Sequence, residues 1–191
     1  MSFSVGGLML NESLMIALSY RPDETWSSAK KRLLAEGAST LPKQASQIRA
    51  LREVYDRIGY LSEAERKYLT DEADRPEQQA LIWLAICRTY SFIYEFAVDV
   101  INDRFRSWRL DLDHEVFDRF LAEKAEYDLR LAELSSSTCA KLRQVLFRIL
   151  REVGLRDAEG RIQPIWISGR LKRLIEESNP ADLWVFPGNG G

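Results

Sequence analysis

Between Ser135 and Gly154 the chain repeats apolar residues on the period of an α-helix more cleanly than anywhere else. Leu142, Val145, Leu146, Ile149 and Val153 fall at i, i+3, i+4, i+7 and i+11, which makes one apolar stripe. Ser135-Ser-Ser-Thr138 precedes the stripe as an N-terminal signal, and Gly154 closes it. The same period runs through most of the chain while strand-type alternation is scarce, so the expected fold class is mainly all-α. At 191 residues, 46% hydrophobic and 29% charged, the chain can bury a core and is neither disordered nor fibrous.

Punctuating residues divide this pattern. Asp23 is expected to cap a helix to about Ala35 carrying Trp26, Ala29, Leu33 and Leu34, ended by Gly37. A second helix, from about Lys43 to Ile58, buries Ile48, Leu51, Val54, Tyr55 and Ile58 and stops at Gly59. Met1 to Leu10 reads as a short arm. Residues 62–75 hold a polar helix opened by a capping box between Ser62 and Glu65, and an apolar helix follows from about Pro76 to Trp108. Asp111 to Asp113 is the expected boundary between two small helical domains, 1–110 and 111–191.

In the second domain Asp113 caps a helix with Val116, Phe117, Phe120 and Leu121, Tyr127 to Leu134 forms another, and the Ser135 helix is the third. Two short strands around Asp157-Ala-Glu-Gly160, reaching Ile165, then make a β hairpin. A helix capped by Ser168 runs to about Glu177, and an irregular tail ends the chain. Three helices and a hairpin are the order of a winged helix-turn-helix. Laying Gly59 over Gly154 pairs Val54 with Ile149 and Leu51 with Leu146, which suggests a helix-turn-helix-like pair in the N-terminal bundle as well. Any two amphipathic helices ended by glycine would align as well as these do.

Several functions are excluded by what is scarce. Ala80 to Ile101 is apolar enough to resemble a membrane span, but Arg88, Glu95 and Asp99 are spread through it, and its longest uncharged run, Ala80 to Cys87, is far short of a span. No membrane association is expected. Cys87 and Cys139 form no close pair, consistent with reduced thiols and a cytoplasmic protein. Cys139 stands in a first helical turn without a nearby histidine or resolving cysteine and reads as a packing residue. His114 is the single histidine, so a two-histidine metal site is impossible. Asp111-x-Asp113-x-Glu115 lacks the glycine and closing glutamate of a calcium loop and reads as a helix cap. No glycine-rich phosphate loop is present. No cofactor, metal or catalytic residue is expected, and Phe147 alone among the aromatics stands near a polar helix face.

Charge is unevenly spread. The formal net charge of −2 divides into +2 over residues 1–60, −7 over 61–135 and +3 over 136–191. The polar face of the Ser135 helix carries Ser137, Lys141, Gln144, Arg148 and Arg151, with Thr138 in its first turn. Hydroxyls suit phosphates, glutamine suits adenine, and arginine suits guanine or phosphate. Arg156 and Arg161 flank the hairpin turn, and Lys43, Gln47 and Arg49 form a possible second patch. These residues are the candidate contacts to double-stranded DNA.

The run from Ser136 to Leu155, with its Ser-Thr-x-x-Lys141-Leu-Arg-Gln core and a later Ile162-x-Pro-Ile, resembles the BrxA family of bacteriophage-exclusion (BREX) defence operons. The likeness extends to the Leu41-Pro-Lys-Gln segment and the aromatic central helix. It implies a small all-α DNA-binding accessory protein without catalysis of its own, working beside methyltransferase, ATPase and phosphatase-like components. Two alternatives stay open. One is an adaptor that docks such components through its acidic middle and basic end, and the other is RNA binding by the helical N-terminal half.

Overall fold

The computed structural model describes residues 6–21, 24–40 and 45–189; at residues 34, 36–40 and 45–48 it describes the backbone alone. The described chain is helical almost throughout, as its periodicity requires. The N-terminal half comprises α1 (Leu10–Leu18), α2 (Trp26–Thr40), α3 (Ala45–Gly59), α4 (Glu63–Asp71) and α5 (Arg75–Thr89). α1 is absent from the sequence expectation of an arm. It begins at Met9 in the left-handed region and buries Ile16 and Ala17, with Leu8 and Leu10 beside them. α2 continues through Gly37 to Thr40, so that glycine does not end it. Thr25 accepts from the Ser28 amide at 3.2 Å and so starts α2, while Asp23 lies outside the described residues. The capping box of α4 forms as expected, with Ser62 and Glu65 each accepting from the other's backbone amide.

The apolar segment is not one helix. α5 stops at Tyr90, whose backbone is extended, and α6 (Ser91–Glu95), a π-helical stretch Phe96–Asn102 and α7 (Asp103–Arg106) continue after a bend of 118°. A straight helix over this span would be about 48 Å long, longer than the roughly 40 Å expected across a domain of this size. Bending buries both limbs: Ala80 to Cys87 are all at most 1% exposed, and Phe92, Ile93 and Phe96 are buried after the turn. Thr89 donates back to the Ala85 carbonyl at 2.7 Å, a side-chain bond that competes with helix continuation. Among the described residues, no single helix is long and apolar enough to cross a membrane.

α7 ends in a Schellman turn. The Arg109 amide donates to the Arg104 carbonyl at 2.9 Å and the Trp108 amide to Phe105 at 3.1 Å. Trp108 occupies the position usually given to glycine, with φ +58°. Left-handed backbone costs an ordinary residue about 1 to 2 kcal/mol.

α8 (His114–Ala125), α9 (Leu129–Ala132) and α10 (Ser136–Glu152) follow, capped by Asp113, Asp128 and Ser135. Phe92 and Phe96 meet Phe117 and Phe120 edge-on, with centroids 5.1 to 5.9 Å apart, which fixes α8 to the bent segment. The expected hairpin is reduced to one isolated bridge, Arg156 to Ile162, across the Asp157–Gly160 turn, and a second bridge, Asp111 to Arg161, ties it to the segment before α8. Arg156 points its side chain inward and Pro164 removes a donor, so pairing ends after one step.

Ser168 caps α11 (Gly169–Ser178), but the tail beyond is ordered rather than irregular. Asn179 caps a 3-10 helix, Pro180–Val185, which buries Leu183 and Val185. Trp83 donates its indole N–H to the Val185 carbonyl at 3.0 Å, and Arg88 bridges Glu65 at 2.7 Å and Asp182 at 2.8 Å. α11 packs against α4 and the 3-10 helix against α5, so the chain's last elements close over its N-terminal half.

Candidate nucleic-acid interface

α10 is positioned by its apolar stripe. Leu142, Val145, Leu146, Ile149, Leu150 and Val153 are all buried, so the opposite face is left to solvent. Phe147 is buried as well, at 4% exposure; it meets the His114 ring at 4.9 Å and lies under the Arg156 guanidinium at 5.2 Å. Its place is in the core rather than in a contact surface.

Ser137, Lys141, Gln144, Arg148 and Arg151 are exposed and form one ridge along α10. Their spacing of four, three, four and three residues keeps them on the same face over about 21 Å. The hydroxyls at the start are already engaged: Ser135 accepts from the Thr138 amide at 3.2 Å, and its hydroxyl meets those of Ser137 at 3.0 Å and Thr138 at 2.9 Å. Lys141 reaches the Gln144 side-chain oxygen at 3.4 Å. Arg148 pairs with Glu152 at 2.8 Å, while Arg151 has no carboxylate partner among the described residues.

Glu152 has further partners. One of its oxygens accepts the Leu8 amide at 2.5 Å, and its backbone carbonyl accepts from Gln79 at 2.7 Å. Arg75, Gln79, Arg148 and Glu152 line a cleft of about 310 Å³ between α5, α10 and residues 7–12. Arg75 and Gln79 are candidates the sequence did not mark, because only tertiary packing brings the start of α5 beside the end of α10.

The flanking candidates are placed differently. Arg156 is half-buried, donates to the Leu112 carbonyl at 2.8 Å and braces the turn. Arg161 is exposed, and its amide donates to Asp157 at 2.7 Å, which with Gln163 holds the Asp157 carboxyl below its usual range. Arg49 is exposed on α3, the backbone of Gln47 is helical but its side chain lies outside the described residues, and Lys43 lies outside them altogether. Burial pushes the Cys87 thiol well above its ordinary value, so it stays protonated and unreactive. Among the described residues, no three His, Cys, Asp or Glu side chains are grouped to hold a metal.

The BrxA family model matches residues 1–179. A BREX protein BrxA from Escherichia coli O9:H4 (strain HS) is 26% identical over 93% of this chain and 84% of its own. Another, from Paramagnetospirillum magneticum, is 27% identical over 91% of this chain and 88% of its own. The crystal structure of an uncharacterized protein from Magnetospirillum magneticum superimposes with a TM-score of 0.72 at 24% identity, covering 95% of this chain and 92% of that one. The fold is shared with that structure, and the chain belongs to the BrxA family of BREX proteins.

Proposed function

We propose that the chain is a non-enzymatic, double-stranded-DNA-binding component of a BREX phage-defence system, acting in the cytoplasm. The α10 ridge carries this reading: five exposed residues spaced four, three, four and three apart are polar or basic, on a rigid helix of a width the major groove accepts. Gln144 and Arg151 are suited to base edges, Lys141 and Arg148 to phosphates, and Arg161 to the backbone beside the turn. The Arg148–Glu152 pair does not oppose the role. Exposed pairs of this kind contribute about 0.2 to 1 kcal/mol, so Arg148 can exchange its carboxylate for a phosphate.

The test is a protein carrying Lys141→Glu, Arg148→Glu and Arg151→Glu, titrated with duplex DNA at several salt concentrations. Loss of binding is expected; Lys141→Ala and Arg148→Ala should each lower the salt slope by about 0.9, and Arg151→Ala should relax sequence preference instead. Parent-like binding by the triple variant overturns the reading. A protein-docking role has one observation in its favour: Tyr127 and Leu129 are 89% and 80% exposed, and Tyr127 lines a groove of about 450 Å³ with Phe92 and Leu131. Capture of another BREX subunit by the parent but not by Tyr127→Ser/Leu129→Ser, with no duplex affinity at low salt, would favour it.

A further inference from the structure

Trp108 combines two unfavourable features. Its indole is 86% exposed, and its backbone holds φ +58° at a turn position where glycine is unstrained. Exposure returns none of the burial energy that a tryptophan supplies in a core, and the left-handed backbone adds strain, so the fold itself gains nothing from an indole here. Its neighbours are polar: Arg106, Ser107 and Arg109 are all exposed. Arg109 pairs with Asp103 at 2.8 Å and Arg104 pairs with Asp111. Arg106 has no carboxylate partner among the described residues; its guanidinium lies 5.1 Å from the Trp184 ring centroid. The Ile162 amide donates to the Leu110 carbonyl at 2.7 Å. That antiparallel pairing sets the residues before Leu110 beside the segment after Ile162, which leads to Trp166, 71% exposed.

We propose that Trp108 is a stacking platform for an unpaired base of single-stranded DNA, with Arg106 meeting the strand's phosphate. Tryptophans that anchor protein partners sit at interface cores, which are depleted of charged residues. The turn around Trp108 is instead flanked by the exposed Arg106 and Arg109. A base requires less, namely one π face and a cation for the backbone. The choice of DNA over RNA rests on the duplex reading of α10, while the platform itself does not.

The position supplies its own well-folded control. Trp108→Gly removes the indole and relieves the backbone, so the melting temperature should hold or rise by about 2 to 4 °C. Fluorescein-labelled dT10 is titrated at about 50 mM salt and followed by anisotropy. Trp108→Gly should bind it about 5- to 150-fold more weakly than the parent, and Trp108→Phe, which keeps a ring, should recover most of the loss. The α10 triple variant should keep dT10 binding while losing duplex binding, which separates this inference from the duplex reading. The platform is overturned by a Trp108→Gly protein within twofold of the parent, by a parent that leaves dT10 unbound, or by loss of a protein partner with dT10 binding unchanged. Tighter binding of oligo(U) than of dT10 overturns the choice of DNA.

Discussion

α3 and α10 carry one pattern, an amphipathic helix with a glycine at its C-terminal end, the last residue of α3 and the second beyond α10, and the protein uses it in two ways. α3 packs against α1, α2 and α5, and one of its arginines is interior: Arg57 is fully buried, held by Glu53 at 3.0 Å and by the Gly7 carbonyl at 2.9 Å, while Arg49 and Arg52 are exposed. α10 packs chiefly on α8, and its arginines Arg148 and Arg151 face solvent. The glycines differ in the same sense. A Cβ at Gly59 would lie 2.4 Å from the Trp26 indole nitrogen, whereas Gly154 has φ +84° and open space around it. Gly59 permits a close approach and Gly154 permits a turn. Matching periodicity therefore reports a shared local shape, while burial decides whether a helix supports the fold or is free to meet a ligand.

The strongest way to break this contrast is to remove one arginine from each helix. Arg57→Ala leaves Glu53 and the Gly7 carbonyl without their buried partner and should cost about 3 to 5 kcal/mol in chemical denaturation. Arg151→Ala should change stability by no more than about 0.5 kcal/mol. Similar costs at the two positions would erase the distinction. The glycines give a smaller effect. Gly59→Ala forces the Trp26 ring to move and should cost about 1 to 3 kcal/mol. Gly154→Ala meets only backbone strain, about 1 to 2 kcal/mol, and near-UV dichroism should report a disturbed tryptophan in the first variant alone.

The smallest effect lies beyond α10. Because the folded pKa of Asp157 is depressed, its contribution to the turn is complete above the ordinary aspartate value of 3.8 and is lost as pH falls through the lower folded value. The protection factor of the Arg161 amide, measured against the intrinsic exchange rate at each pH, should therefore fall only in that acid range. A protection factor that begins to fall near neutral pH would show that the turn depends on another group.

Local signals were legible in the sequence. Ser62, Asp113, Ser135 and Ser168 each accept a backbone amide at the helix start where a cap was expected, and the apolar stripe of α10 is buried throughout. So was the exposed ridge, since a buried stripe determines what lies opposite. The misread features depend on partners distant in sequence. The bend at Tyr90 has no proline or glycine to announce it and arises from burying two limbs of one apolar segment. The tail is ordered by Trp83 and Arg88, about a hundred residues earlier, and the four-residue Asp157–Gly160 turn gave no measure of how far pairing would extend. Arg75 and Gln79 entered the candidate site only through packing.

The bond from the Leu8 amide to Glu152 spans 144 positions. During synthesis Leu8 leaves the ribosome long before its acceptor exists, and Gly7 cannot settle between Arg57 and Glu152 until α10 has emerged. Contacts of such sequence separation slow folding. The cleft beside the ridge is thus completed by parts of the chain made far apart in time, and a nascent protein stalled before residue 152 would leave the Leu8 amide without this acceptor.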